Sequence, residues 1–272
     1  MPMERHRTEI DGIGVAWLGT LPGASPGRAP VVVLHGLGSS SREFAYLADR
    51  PGIARRPLLL VDVPGFGDSD KPAGWIYTMD AQADLVAALL RQAAAAPVAL
   101  VGHSMGGSIA IALAARHPEL VERLIVAEPN LDPGTGTLSG HIARQPEAAF
   151  VARGYQRLVY QARRAGARGD RVARRFAVTL EQASPVALHR SAVSLRADRS
   201  PTFREQLEQL AIPRTLVSGA LTPLLDPPLA DPTIAVEVIP EAGHGMMTEQ
   251  PAAFADAILR AIDDRADRHK TA

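Results

Sequence analysis

Ser104 stands in Gly102-His103-Ser104-Met105-Gly106, and His244 stands near the other end of the chain in Gly243-His244-Gly245. A serine hydroxyl becomes a useful nucleophile when an imidazole takes its proton, and the imidazole needs a third group to fix its tautomer and stabilise its charge. Acyl transfer is the chemistry these residue types can support. The 272 residues contain no cysteine, which excludes a thiolate nucleophile, disulfides and thiolate metal sites. The other histidines lack a metal-ligand spacing: His35 and His103 sit in glycine-rich turns, and His6, His117, His141, His189 and His269 lie in surface-like contexts. Neither a metal nor a cofactor is expected.

The elements around Ser104 fit that chemistry. Val98 to Val101 reads as a buried strand, the next residues as a tight turn, and the following run as a helix ended by Pro118. Such a turn strains the serine backbone and is tolerable only with glycine two residues before and two after, which Gly102 and Gly106 provide. The helix N-terminus then favours the negative charge that develops in acyl transfer. Val31 to Leu34 is a second apolar strand, running into His35-Gly36-Leu37-Gly38; Leu58 to Val61 is a third, followed by Asp62-Val63-Pro64-Gly65-Phe66-Gly67-Asp68-Ser69. Ile239-Pro240-Glu241-Ala242-Gly243-His244 follows near the end.

With these four motifs in this order, from about residue 10 to residue 262, the chain resembles the α/β-hydrolase family. The resemblance implies a mostly parallel sheet flanked by helices, with Ser104 as nucleophile and His244 as base. It also implies that the backbone N–H groups of Leu37 and Met105 form the oxyanion hole, while Asp62 and Asp68 are architectural. Serine at the elbow separates the chain from the dehalogenase and epoxide-hydrolase branches, which place aspartate there.

Along the chain, Asp11-Gly12 between Thr8–Ile10 and Val15–Trp17 marks an opening hairpin. Leu21 to Pro30 is a Pro/Gly/Ser loop, Thr78 to Ala96 a helix over the sheet, and Leu124 to Ala127 a further strand. Strand signals then vanish until about Pro213, replaced by helical segments such as Ala148 to Ala165. The resemblance implies an inserted helical cap here, giving a core of residues 1–130 and 213–272 with a cap of residues 131–212. Strands Thr215–Ser218 and Ala235–Ile239 and a helix Pro251–Ile262 follow, and the charged tail after Asp263 is expected to fray. The cap carries Arg153, Arg157, Arg163, Arg164, Arg168, Arg171, Arg174 and Arg175 with Asp170 the one acid among them, a pattern read as a solvated face ahead of an anion site.

The third member of the constellation departs from the common pattern. Most relatives carry aspartate three residues beyond the glycine that ends the strand before the histidine loop; here that glycine is Gly219 and the residue is Thr222. Glu128 at the end of the preceding strand, Asp226 and Asp132 stand as alternatives. Glu128-Pro129 resembles the placement in pancreatic-type lipases, and a carboxylate at a carboxyl strand end lies where parallel sheets place ligands, so Glu128 comes first.

The formal net charge is zero and no apolar run reaches the roughly 20 residues of a membrane span, so neither nucleic acid nor a membrane is an expected partner. A soluble, cytoplasmic enzyme acting on a small ester-like molecule is expected, with the oligomeric state left open. The leading reading is a serine hydrolase of carboxylic esters, including lactones or thioesters. Carbon–carbon bond hydrolysis, acyl transfer and cofactor-free perhydrolysis use the same groups, and a non-catalytic binding protein on the same scaffold is the reading from another class.

Overall fold

The computed structural model describes residues 3–20, 28–93, 95, 97–223 and 225–263. Its strands are β1 Glu4–Ile10, β2 Ile13–Gly19, β3 Val31–Leu34, β4 Leu58–Val61, β5 Val98–His103, β6 Val121–Ala127, β7 Arg214–Gly219 and β8 Ala235–Ile239. They form one sheet in the order β1-β2-β4-β3-β5-β6-β7-β8. β2 pairs antiparallel with both β1 and β4, and every pairing from β4 through to β8 is parallel. Asp11 and Gly12 take φ of 50° and 76°, the left-handed pair that a two-residue hairpin needs.

β3, β4 and the first four residues of β5 are unbroken apolar runs, and all three strands are fully buried, as strands covered on both faces must be. Alternation divides their side chains. Val32, Leu34, Leu59 and Val61 pack on one face with the helices Met79–Gln92 and Met105–Arg116. Val31, Val33, Leu58 and Leu60 pack on the other with Phe44 and with Phe254, Ile258 and Ile262 of the helix Pro251–Asp263. Each such side chain contributes about 1.5–3 kcal/mol on burial, so the two layers fix the sheet from both sides. The helix Met79–Gln92 begins on Thr78, whose hydroxyl accepts from the Ala81 N–H at 3.2 Å.

Between β6 and β7 the described chain is helical throughout its regular elements: Thr137–Ala143, Glu147–Ala149, a π turn Phe150–Gly154, Tyr155–Ala167, Arg171–Leu180, Pro185–Arg196 and Phe203–Gln209. Tyr155–Ala167 and Arg171–Leu180 form a tight helical hairpin. A Cβ at Gly166 would lie 2.7 Å from the Arg174 Cα, so glycine is what lets the two helices close. Asp170 caps the second helix, accepting from the Ala173 N–H at 2.9 Å.

The structure adds a 3₁₀ helix Ser41–Asp49 and short helices Pro51–Ala54 and Met246–Glu249, none of which has a sequence signature of its own. His189 is corrected from surface to interior: it is buried, and its Nε2–H donates to the Gln145 carbonyl at 2.7 Å. The loop expected at Leu21 to Pro30 lies largely outside the described residues, as do Ala96 and the tail after Asp263. No helix among the described residues is long and apolar enough to cross a membrane.

Candidate active site

β5 lies between β3 and β6, with β7 next to β6, so the carboxyl ends of these strands open onto one edge of the sheet. Ser104 follows β5 directly and takes φ 53°, ψ −119°, a left-handed backbone that costs a serine about 1–2 kcal/mol. Its surroundings hold it there. The Ser104 N–H donates to the Ala127 carbonyl of β6 at 2.9 Å. A Cβ at Gly102 would meet the Gly106 carbonyl oxygen at 2.3 Å, and one at Gly106 would meet the Leu34 carbonyl oxygen at 2.2 Å. The two glycines therefore let helix, turn and β3 approach within backbone contact.

Met105 is the first residue of the helix Met105–Arg116, and Leu37 lies in the turn after β3. Neither of their N–H groups has a backbone acceptor among the described residues. His35 fixes the turn that carries Leu37: its Nε2 accepts from the Val63 N–H at 3.2 Å and its Nδ1–H donates to the Gly36 carbonyl at 2.8 Å. Burial pushes the His35 pKa down against the pull of Asp62, which keeps the imidazole neutral. Asp62 accepts from the N–H groups of Ser41 (2.6 Å) and Asp68 (3.0 Å), and Asp68 pairs with Arg5 and Arg42. Both are engaged in holding loops.

His244 Nδ1–H donates to Glu128 Oε2 at 2.7 Å. The other carboxylate oxygen, Oε1, accepts from the Gly219 N–H at 2.9 Å. Burial pushes the Glu128 carboxyl up, but the hydrogen bonds from His244, Thr222 and Gly219 outweigh it and leave the pKa below the usual glutamate value. The carboxylate is ionised and committed to the ring. Asp132 is elsewhere, bound by the Arg204 guanidinium at 2.7 Å, and Asp226 is exposed; neither hydrogen-bonds to His244 among the described residues.

A second histidine supports the first. His103 Nε2–H donates to the His244 carbonyl at 2.9 Å, and the two rings lie 4.7 Å apart. Burial, reinforced by the neighbouring charge of His244, pushes the His103 pKa down to about 3. Neutral His103 thus holds the loop of His244 without adding a positive charge under it.

Ser104 and His244 line one cavity of about 610 Å³. Leu37, Leu138, Val172, Phe176, Leu216 and Met247 give it a largely apolar wall. Residues of the helical segment between β6 and β7 thus face the strand ends across the cavity. Ser104 Oγ makes no hydrogen bond to His244 among the described residues; such bonds commonly tighten only when substrate is in place. Glu43 of the 3₁₀ helix also lines the cavity, its carboxyl accepting a hydrogen bond from Ser39 Oγ. Burial pushes that carboxyl up against the opposing pull of Ser39, Arg175, His244 and Thr248. Chemically, the site combines a hydroxyl at a helix N-terminus, two free backbone donors, and an imidazole with its Nδ1 side anchored and its Nε2 side open. Among the described residues no group of three or more His, Asp or Glu could hold a metal ion.

The profile of the alpha/beta hydrolase family matches residues 31–257. The chain belongs to the alpha/beta hydrolase family. This hydrolase is 28% identical over 249 residues to an sn-1-specific diacylglycerol lipase of Mus musculus, a match covering 84% of this chain and 79% of the lipase. It is 26% identical over 271 residues to an esterase of Mycobacterium tuberculosis, covering 88% of this chain and 85% of the other. Among solved structures, a thermophilic esterase from Thermogutta terrifontis superposes with a TM-score of 0.75 at 23% identity, over 95% of this chain and 99% of that one, a likeness of fold.

Three residues of the hydrolase site carry contacts that the sequence did not announce. Thr222, which holds the common acid position, instead lowers the pKa of Glu128 at the end of the neighbouring strand. His103 was assigned to the elbow alone. Glu43 lies in a short 3₁₀ helix that no periodicity marks.

Proposed function

We propose that this hydrolase cleaves carboxylic esters through an acyl-enzyme on Ser104. The observation that carries the reading is the 2.7 Å bond from His244 Nδ1 to a buried, ionised Glu128 in the cavity that Ser104 enters from a strained elbow. Ser104 Oγ attacks the ester carbonyl carbon as His244 Nε2 takes the hydroxyl proton. The carbonyl oxygen becomes an oxyanion held by the N–H groups of Leu37 and Met105 at the helix N-terminus. As that intermediate collapses, the bond to the leaving alkoxide breaks and the imidazolium gives it the proton. A water, deprotonated by the same Nε2, then attacks the acyl-serine and releases the carboxylic acid, restoring the hydroxyl. Glu128 orients the ring and stabilises the imidazolium in both halves of the cycle. Residues 131–212 act as the cap that closes the cavity over the acyl chain.

A fluorophosphonate probe tests the reading directly. Wild type is expected to be labelled stoichiometrically and to turn over p-nitrophenyl esters, and Ser104→Ala to do neither. Product analysis with a competing alcohol and with hydrogen peroxide should return the free acid as the main product. A wild-type protein that folds but neither labels nor hydrolyses any ester in the panel would overturn the proposal and leave a binding protein on a hydrolase scaffold.

A further inference from the structure

The cavity is lined, among the described residues, by three carboxylate side chains, Glu43, Glu128 and Asp170, and by no lysine or arginine. Glu128 is committed to His244, to which it is bonded. Glu43 and Asp170 have no such role in acyl transfer. Glu43 enters from the 3₁₀ helix Ser41–Asp49, beside Ser39. Asp170, the exposed N-cap of the helix Arg171–Leu180, also lines the cavity. That helix turns Val172 and Phe176 to the cavity, while the eight arginines between Arg153 and Arg175, with Arg171, Arg174 and Arg175 among them, are exposed.

An acyl chain that ends in a carboxylate would therefore lose its hydration against a largely apolar wall, meet no lysine or arginine in that wall, and approach two carboxylates of the same sign. An uncharged chain of the same length meets the largely apolar wall without that repulsion. We propose that Glu43 and Asp170 are specificity-determining residues that turn the cavity against acyl chains bearing a carboxylate, so that the substrates are uncharged esters. This rests on the ester-hydrolase reading and names its substrate class. It also gives the exposed arginines no part in binding substrate.

The test compares p-nitrophenyl hexanoate with mono-p-nitrophenyl adipate, which replaces the terminal methyl by a carboxylate. For the wild type at pH 8, kcat/KM for the adipate ester is expected to be lower by at least about 100-fold. Glu43→Gln and Asp170→Asn keep shape, and asparagine keeps the helix cap; each is expected to raise the adipate-to-hexanoate ratio by at least about threefold, and the double variant by at least about tenfold. The ratio is the readout because loss of folded protein lowers both rates together. Equal turnover of the two esters by the wild type, or an unchanged ratio in the double variant or in Asp170→Asn alone, would overturn the charge filter while leaving the ester hydrolase standing. No turnover of either ester overturns both.

Discussion

Glu128→Gln keeps the volume of the side chain and one acceptor oxygen but removes the charge that faces His244. The magnitude follows from the geometry. With Nδ1 and Oε2 at 2.7 Å, the centres of the two charges lie about 4 Å apart, worth about 4 kcal/mol at an effective dielectric of 20. The His244 side chain is 57% exposed, so water screens the pair and roughly halves that figure to about 2 kcal/mol. Because the imidazolium exists only after proton transfer begins, the loss falls on the transition state, and kcat/KM should drop by about 30- to 1000-fold. Turnover of p-nitrophenyl hexanoate, normalised by active sites and accompanied by a melting curve, measures it. A second arm moves the acid. Thr222 lines the same cavity as Glu128 and His244 and lowers the Glu128 pKa. Thr222→Asp in a Glu128→Ala background should therefore bring a carboxylate to the same ring and recover at least about tenfold of the activity lost by Glu128→Ala. A Glu128→Gln enzyme within about threefold of wild type, or Asp132→Asn or Asp226→Asn variants equally impaired, would refute the reasoning.

Ser104→Gly relieves the φ of 53° that Ser104→Ala retains, so the glycine variant should be the more stable of the two by about 1 kcal/mol in urea unfolding. Gly106→Ala places a Cβ 2.2 Å from the Leu34 carbonyl oxygen and should cost at least about 2 kcal/mol, a fall of about 4–8 °C in Tm. His103 has its pKa pushed from 6.5 to about 3 in the folded state, so below pH 6.5 the unfolded chain takes up a proton that the folded chain refuses. That stability is complete above the unfolded value and is lost as pH falls, by about 3 kcal/mol between about pH 7 and pH 4.5; His103→Gln should flatten this part of the curve in urea midpoints.

Much of the sheet was legible because its central strands bury both faces and so read as unbroken apolar runs, and because the strained elbow demands glycine at 102 and 106. The order of the strands was not legible, since apolar runs alone do not say which neighbours which. His244 was legible for the same reason as Ser104, by motif and place. The acid was only partly legible: Glu128, Asp132 and Asp226 are all carboxylates within reach in sequence, and what separates them is the pairing of β6 with β7 and the Arg204 guanidinium that occupies Asp132. Glu43 was not legible at all. Its neighbours Ser39 and Thr248 are far apart in the chain or lie in turns, and neither helical nor strand periodicity runs through a 3₁₀ helix. Arginine density along the helical segment was legible, but the side of each helix that meets the cavity depends on packing, and here Val172 and Phe176 take it.

A glutamate at the end of β6 can reach the ring that an aspartate after β7 would reach, because the two strand ends are already joined. Ala127 is paired with Val217, and the Glu128 N–H adds a further bond to the Val217 carbonyl at 3.1 Å, so position 128 is held one strand spacing from β7. The φ of 42° at Glu128 turns the chain out of the ladder, and its carboxyl reaches the Gly219 N–H. On the other side, the loop that carries His244 is pinned to β7: the Leu221 N–H donates to the Ala242 carbonyl at 2.9 Å, and a Cβ at Gly219 would lie 2.3 Å from that same oxygen. Ring and strand therefore cannot move toward a shorter side chain. Glu128→Asp keeps the charge but withdraws it by about 1.5 Å, the length of one carbon–carbon bond. It should lose the bond to Nδ1 and fall toward the activity of Glu128→Gln, with Thr222→Asp rescuing it as it rescues Glu128→Ala. Wild-type turnover in Glu128→Asp, measured on the same ester, would mean that the negative charge suffices at any distance and that the reach of the longer side chain is incidental.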